Sequence, residues 1–369
     1  MLKGILFAGV ATLALALTSA ATPAKADILI AAAGPITGGN AALGAQMVIG
    51  AEQAVADINA HGGLLGQKVK LELGDDACDP KQAVSLANRF ASEGVKLVAG
   101  HFCSSSTIPA SKVYTEEGIL EITPASTNPK YTDEGSWNTF RTCSRDDQQG
   151  KLAGDTLASE FKDKKVVILH DNSTYGKGVA DETKKNMNAH GKQEVLYTAY
   201  VPGERDYSAL ISRLKQVGAE VAYVGGYHPE TGLIARQAKE QGLKLQIIGP
   251  DGLETSEYWQ VAGDSGEGTL FTYGADPSKR PSAAAVVKEF TDKGIKPEGF
   301  SLYTYAAIQV WAEAVTKANT VDAKKVAETL KADGPWDTLL GPISYDHKGD
   351  VTTVDYVWYL WHNGNYAER

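Results

Sequence analysis

Cysteine is scarce in this chain. Three thiols among 369 residues exclude a scaffold stapled by many disulfides. Positive charge is also in short supply: 36 Lys and Arg stand against 45 Asp and Glu, a net charge of −9. Without a basic excess there is no electrostatic footprint for nucleic acid. Apolar runs long enough to cross a bilayer, ~18 residues or more, are missing. So are the motifs of common enzymes: no G-x-G-x-x-G, no Walker A loop, no G-x-S-x-G elbow and no H-E-x-x-H. The seven histidines are scattered. His170-Asp171 and Asp346-His347 are adjacent pairs, but neighbours along a strand point to opposite faces. No nucleophile–base pair can be named, and neither a cofactor nor a metal is expected. Asp75-Asp76-Ala77-Cys78-Asp79 is acidic enough to suggest a cation site; a strand-end loop with Asp79 capping the next helix accounts for it better.

What is present begins with a leader. Met1-Leu2-Lys3 precede an apolar run from Ile5 to Leu17, and Ala24-Lys25-Ala26 places small residues before Asp27. This is the pattern of a cleaved secretory signal peptide over residues 1–26. Thr18, Ser19, Thr22 and Pro23 interrupt the run too early for a membrane span. The first cysteine is Cys78, too late for lipid attachment. An exported, soluble protein is expected, in a compartment where a disulfide can form.

The remaining chain alternates strand and helix. Ile28 to Ala33 is a continuous apolar run ending at Gly34-Pro35, as in a buried parallel strand. Leu43, Met47, Ala51, Ala54, Val55 and Ile58 then share a helical face that stops at Gly62-Gly63. Strands are predicted at 69–73, 95–99 and 119–123, with a helix over 80–93. The rhythm resumes with strands at 166–169, 194–201, 221–224 and 245–248, and helices at 176–189, 206–217 and 230–241. Alternation of this kind predicts an α/β fold of two doubly wound parallel-sheet lobes. A weak repeat at an offset of about 126 residues agrees. Val95 to Gly100 lies over Val221 to Gly226, and Ile122 to Ala125 over Ile248 to Asp251. Open α/β sheets bind ligands beyond the carboxyl ends of their strands, so these loops are expected to face one cleft. After Gly268 come a strand, three helices over 282–293, 301–317 and 322–332, a turn region and a final strand over 354–361.

Several strings are specific enough to carry a resemblance: Gly50-Ala51-Glu52-Gln53-Ala54-Val55-Ala56-Asp57-Ile58-Asn59, Asp75 through Ala83, His101-Phe102-Cys103-Ser104-Ser105-Ser106-Thr107, Gly118 through Thr127, Gly225 through Glu230, and Tyr303-Thr304-Tyr305-Ala306-Ala307. Across its mature length the chain resembles the branched-chain amino-acid (Leu/Ile/Val)-binding proteins of periplasmic ABC importers. These are type I periplasmic binding proteins. The resemblance implies two α/β lobes joined by a three-stranded hinge, with residues 27–145 plus 275–353 in the first lobe and 146–274 plus 354–369 in the second. It implies periplasmic location, capture of a free amino acid between the lobes, and delivery to a membrane permease. A monomer is expected, without cofactor and without catalysis.

The same resemblance assigns site residues. Ser104 would hold the ligand carboxylate at a helix N-terminus, which suits an anion. Thr127 would bridge carboxylate and ammonium, and Ala125 would offer a backbone carbonyl. Asp251 would pair with the ammonium, one methylene shorter than the Glu of well-known members. Tyr175 and Tyr227 would close over the ligand. Leu43, where a family member carries Tyr, Phe300 and Tyr303 would form the pocket wall. Cys78 and Cys103 would form the family's disulfide, leaving Cys143 as a free thiol. Turn chemistry alone also explains the Ser, Thr and Asp positions, and strand-end packing explains the tyrosines. Leu43 and Asp251 leave room for another amino acid, a small amide or a 4-aminobutyrate-like amine. A ligand-sensing receptor on the same fold and an exported amide or peptide hydrolase are the rival functions.

Overall fold

The computed structural model describes residues 26–369; residues 1–25 of the predicted leader lie outside the described residues. Ten of its strands arise from the alternation itself. The first sheet contains β1 (Ile28–Gly34), β2 (Val69–Asp75), β3 (Leu97–Gly100), β4 (Leu120–Thr123) and β5 (Thr139–Arg141). They are parallel, in the order β2-β1-β3-β4-β5. The second sheet begins with β6 (Val166–His170), β7 (Leu196–Ala199), β8 (Val221–Gly225), β9 (Gln246–Gly249) and β10 (Leu270–Gly274). Its order, β7-β6-β8-β9-β10, repeats that of the first. All residues of β3, β4, β6 and β8 are buried, which is why β3, β6 and β8 read as near-continuous apolar runs, whereas β4 carries the buried Glu121.

The repeat reaches down to single glycines. Gly100 and Gly226 end equivalent strands with φ of 153° and 157°. A Cβ at Gly100 would lie 2.4 Å from the Ala33 carbonyl oxygen, and one at Gly226 would lie 2.0 Å from the Tyr200 hydroxyl. Both positions combine an unusual backbone angle with no room for a side chain.

After β10 the chain returns to the first sheet. The Gly299–Ala318 helix packs against the Ala41–Ala60 helix and against β3 and β4. A small hairpin, β11 (Trp336–Thr338) with β12 (Gly341–Ile343), follows. Two further strands, β13 (Tyr356–His362) and β14 (Asn365–Glu368), then extend the second sheet in antiparallel fashion beside β10. The strand expected over 354–361 corresponds to β13 alone; β14 is an addition, and β12 falls in the expected turn region.

Three segments cross between the lobes and come together. Ser144, Gly274 and Asp355, one from each, line a common cavity. Ala275 N donates to the Asp355 carbonyl at 3.0 Å, and Arg280 pairs with the Asp355 carboxylate at 2.6 Å.

The acidic cluster is spent on helix capping and on pinning neighbouring loops. Asp79 Oδ1 accepts from the backbone N–H of Lys81 and Gln82, capping the Pro80–Glu93 helix. Asp75 accepts from Ile36, Thr37 and Ala77. Among the described residues no group of His, Cys, Asp and Glu is arranged to hold a metal, and no helix is long and apolar enough to cross a membrane.

Candidate functional site

The loops at the carboxyl ends of β3, β4, β6, β8 and β9 converge on the space between the lobes. A cavity of about 210 Å³ there is lined by Phe102, Ser104, Ala125, Tyr175, Tyr227, Asp251, Gly252 and Phe300. Ala125 and Asp251, equivalent in the repeat, therefore face each other across one cavity. An adjoining cavity continues past Asp251 and Phe300 to Cys143, Tyr303, Asp355 and Tyr356.

The first lobe presents hydroxyls and a helix end. Ser104 opens the Ser104–Glu117 helix and is 1% exposed. The free N–H groups of a first turn, with the helix dipole behind them, favour an anion. The loop bearing Ser104 is pinned twice. Cys103 is disulfide-bonded to Cys78. His101 Nδ1 meets Asp76 Oδ2 at 2.6 Å while its Nε2 meets the Tyr114 hydroxyl at 2.8 Å, all three residues being buried. The Ala125–Thr127 loop is held by Arg141, whose guanidinium donates to the carbonyls of Ser126 (2.7 Å) and Asn128 (3.2 Å) and pairs with Asp350 at 2.7 Å. Thr127 is fully buried beside Asp146, and its hydroxyl makes no well-formed hydrogen bond.

The second lobe presents carboxylate and aromatic rings. Asp251 begins a single 3-10 turn after β9. Its Oδ1 accepts from the Tyr175 hydroxyl (2.5 Å) and Gln149 Nε2 (3.2 Å), and the Tyr175 hydroxyl accepts in turn from Gly252 N at 2.8 Å. Burial raises the Asp251 carboxyl to about 6, against the lowering effect of these donors. The Tyr175 and Tyr227 rings lie 5.0 Å apart, and Phe102 meets Phe300 edge-on at 4.7 Å. Such faces bury an aliphatic group well.

Six of the residues expected from the sequence, Ser104, Ala125, Tyr175, Tyr227, Asp251 and Phe300, line the central cavity. Tyr303 lines only the adjoining one. Thr127 sits behind the wall, and Leu43 is buried in the Ala41–Ala60 helix away from both cavities. Cys143 is free and buried, its thiol pushed up by burial.

Two groups were missed by sequence reasoning. Asp146 and Gln149 stand in the first turn of the Asp146–Ser159 helix, a helix the sequence reading passed over. Gly150 and Gly154 of that helix press against the Thr174–Ala189 helix, where an added Cβ would come within 2.6 Å of Glu182 Cβ and 2.7 Å of Asn186 Cβ. Two glycines in a polar stretch look like a loop; here they permit close helix packing.

The lobes touch around the cleft. Asn128 Nδ2 donates to the Thr174 carbonyl at 2.8 Å, and Gln46 Nε2 donates to the Glu254 carbonyl at 3.0 Å and to Glu298 Oε2 at 2.8 Å. Glu254 Oε1 accepts from Gly299 N and from the Tyr366 hydroxyl. Burial, with Glu298 nearby, raises the Glu254 carboxyl to about 8.

A family model described as periplasmic binding protein matches residues 27–363. The chain is 50% identical over 363 residues to Leu/Ile/Val-binding protein homolog 1 of Brucella suis, covering 98% of this chain and 97% of that one. It is 49% identical to an amino acid binding protein of Pseudomonas aeruginosa, over 95% of each chain. Among solved structures it resembles the leucine-binding protein LivK of Thermotoga maritima, with a TM-score of 0.86 at 28% identity over 93% of this chain and 97% of that one. It also resembles the branched-chain amino-acid transporter substrate-binding protein LivJ of Streptococcus pneumoniae in complex with isoleucine, with a TM-score of 0.83 at 25% identity over 93% and 99%.

Proposed function

The chain belongs to the periplasmic binding protein family, and from that membership we propose that it captures a free amino acid, with Leu, Ile and Val foremost, in the cleft between its lobes and delivers it to the permease of an ABC importer. One observation carries the reading. The cleft sets a helix N-terminus and hydroxyls on one wall against the buried carboxylate of Asp251 on the other, with aromatic rings between them. That pattern complements a zwitterion bearing an apolar side chain. In this reading the ligand carboxylate lies at Ser104, its ammonium between Ala125 O, Thr127 and Asp251, and its side chain among Phe102, Tyr175, Tyr227 and Phe300. Lobe boundaries at 27–145 plus 275–353 and 146–274 plus 354–369 are supported by the sheet each segment joins. The protein works as a monomer, exported by its leader to the periplasm, and closes by hinge bending at the three crossovers. Closure requires no chemistry, and the family is one of binding proteins, not enzymes.

The test is a thermal-shift screen of ligand-stripped protein against all amino acids, small amides and 4-aminobutyrate-like amines. A ligand at 100 times its Kd stabilises by about 2.7 kcal/mol. A shift with Leu, Ile or Val supports the reading in full. A shift only with another amine keeps capture and replaces the ligand. No shift with any of them refutes it and favours a sensor of another ligand class.

A further inference from the structure

Behind the cleft lies a second buried carboxylate that the ligand assignment above leaves unused. Asp146 is fully buried. A single amide joins it to Asp251: Gln149 Nε2 donates to Asp146 Oδ1 at 2.7 Å and to Asp251 Oδ1 at 3.2 Å. Gln149 is itself held by Thr272, whose hydroxyl donates to Gln149 Oε1 at 2.9 Å. Among the described residues Asp146 Oδ2 has no well-formed hydrogen-bond partner, and neither has the Thr127 hydroxyl, which stands close enough to act on the carboxyl as a donor.

Among the described residues no cation is dedicated to this pair. Arg141 is the basic group that faces Asp146, and its guanidinium is committed to Asp350 and to the Ser126 and Asn128 carbonyls. Cys143, Tyr175, Tyr223, Tyr227, Tyr273 and Tyr356 are the other titratable groups acting on or feeling these carboxylates; burial pushes each of them up, so they stay neutral. Two carboxylates sharing one donor in a water-poor site do not both ionise.

We propose that Asp146 is a positioning residue of the ammonium subsite: in the empty cleft it shares one proton with Asp251, and an incoming cationic ammonium displaces that proton to the solvent. This rests on the amino-acid reading above. The ionised Asp146 then accepts from the Thr127 hydroxyl and from Gln149. It thereby turns a Thr127 lone pair toward the ammonium and fixes the amide that orients Asp251. Burial, with Asp251 second, raises the Asp146 carboxyl to about 8, and Asp251 stands at about 6. Asp146 is therefore the group that holds the shared proton at neutral pH.

The experiment is isothermal titration with L-leucine, or with the amino acid giving the largest thermal shift, at pH 7.5 in phosphate and in Tris. Their different ionisation enthalpies count the protons released. The wild type is expected to release more than half a proton per ligand bound, and to bind roughly 50-fold more tightly as pH rises from 6 to 8. Asp146→Asn, which keeps shape and the acceptor facing Gln149, is expected to release almost none and to show a flat pH profile with weaker binding. Equal proton release in the two proteins overturns the proposal, and so does none in the wild type; that second count decides even where Asp146→Asn does not fold. Wild-type protein that binds no amino acid at all fails the reading under Proposed function instead, a distinct result.

Discussion

Replacing Asp251 by Asn should push stability and binding in opposite directions. Asn keeps the size of the side chain and an acceptor for Tyr175 and Gln149, so the change removes charge alone. In the folded protein the carboxyl sits at about 6 rather than 3.8, chiefly because it is buried. Between those values the native state holds a proton that the unfolded chain has lost. Stability therefore falls as pH rises from about 4 to about 6 and stays reduced above that. Two pH units at 1.36 kcal/mol each make this cost about 3 kcal/mol at neutral pH. Asparagine does not incur it. Its weaker hydrogen bond from Tyr175 returns about 1 kcal/mol, leaving a net gain of about 2 kcal/mol. For a chain of this length that raises Tm by about 3 °C. The unliganded variant should melt higher than the wild type at pH 7.5 and equally at pH 4. Ligand binding should suffer, because a desolvated ammonium loses its counter-charge. About 3 kcal/mol is at stake, roughly two decades in Kd. Differential scanning calorimetry with and without ligand reads both effects. A variant that melts lower than the wild type at pH 7.5, or that keeps the full ligand-induced shift, would refute the reasoning.

Three further outcomes are expected. Converting Cys78 and Cys103 together to Ser opens a cross-link spanning 25 residues and should cost about 3.5 kcal/mol in the chain-entropy model; denaturant titration checks it, and reductant should then have no further effect on Tm. Asn128→Asp keeps the acceptor used by Lys130 N but replaces the donor to the Thr174 carbonyl, so it should weaken the closed form by about 1–2 kcal/mol, roughly 5- to 30-fold in affinity. Small-angle scattering should show it more open at equal ligand. Arg141→Met leaves the Ser126 and Asn128 carbonyls and part of Asp350 without their buried donor. A loss of about 3–5 kcal/mol is expected in urea unfolding.

The sequence disclosed the sheets more readily than the edges. Strands β3, β6 and β8 are buried on both faces, and continuous apolar runs announce such strands. Strand β14 is mostly exposed and polar, with residues Asn365–Glu368; pairing with β13, not composition, makes it a strand. The cavity-lining residues were legible through family resemblance, because Ser, Thr and Tyr at strand ends have ordinary uses as turn and packing residues. Asp146, Gln149 and Arg141 were not. Asp146 and Gln149 belong to a glycine-containing polar stretch that becomes a helix only where it packs against its neighbour, and Arg141 looks like a surface cation until three carbonyl and carboxylate partners surround it. Tertiary partners decide these cases, and local pattern does not contain them.

The two lobes repeat one topology but divide the chemistry unequally, and on the proposed reading that division explains how closure becomes selective. Ala125 and Asp251 occupy equivalent places after β4 and β9, yet one offers only its backbone and the other a charge. The first lobe holds the helix end and hydroxyls that suit an anion. The second holds the acidic group and the Tyr175 and Tyr227 rings, facing Phe102 and Phe300 of the first. A ligand with a carboxylate alone can satisfy the first wall, and it leaves Asp251 buried and uncompensated when the lobes meet. An amine alone does the reverse. A ligand shifts a conformational equilibrium only by its difference in affinity for the two states. An open cleft lets water solvate whichever wall is unfilled; a closed cleft does not. Only a zwitterion of fitting size therefore gains from closure on both sides. The interlobe hydrogen bonds beside the cleft, among them those from Asn128, Gln46 and Gly299 N, are worth too little on the scale of about 1 kcal/mol each to impose closure by themselves. Selectivity in this arrangement resides in the charge left unpaired by the wrong ligand more than in the contacts made by the right one.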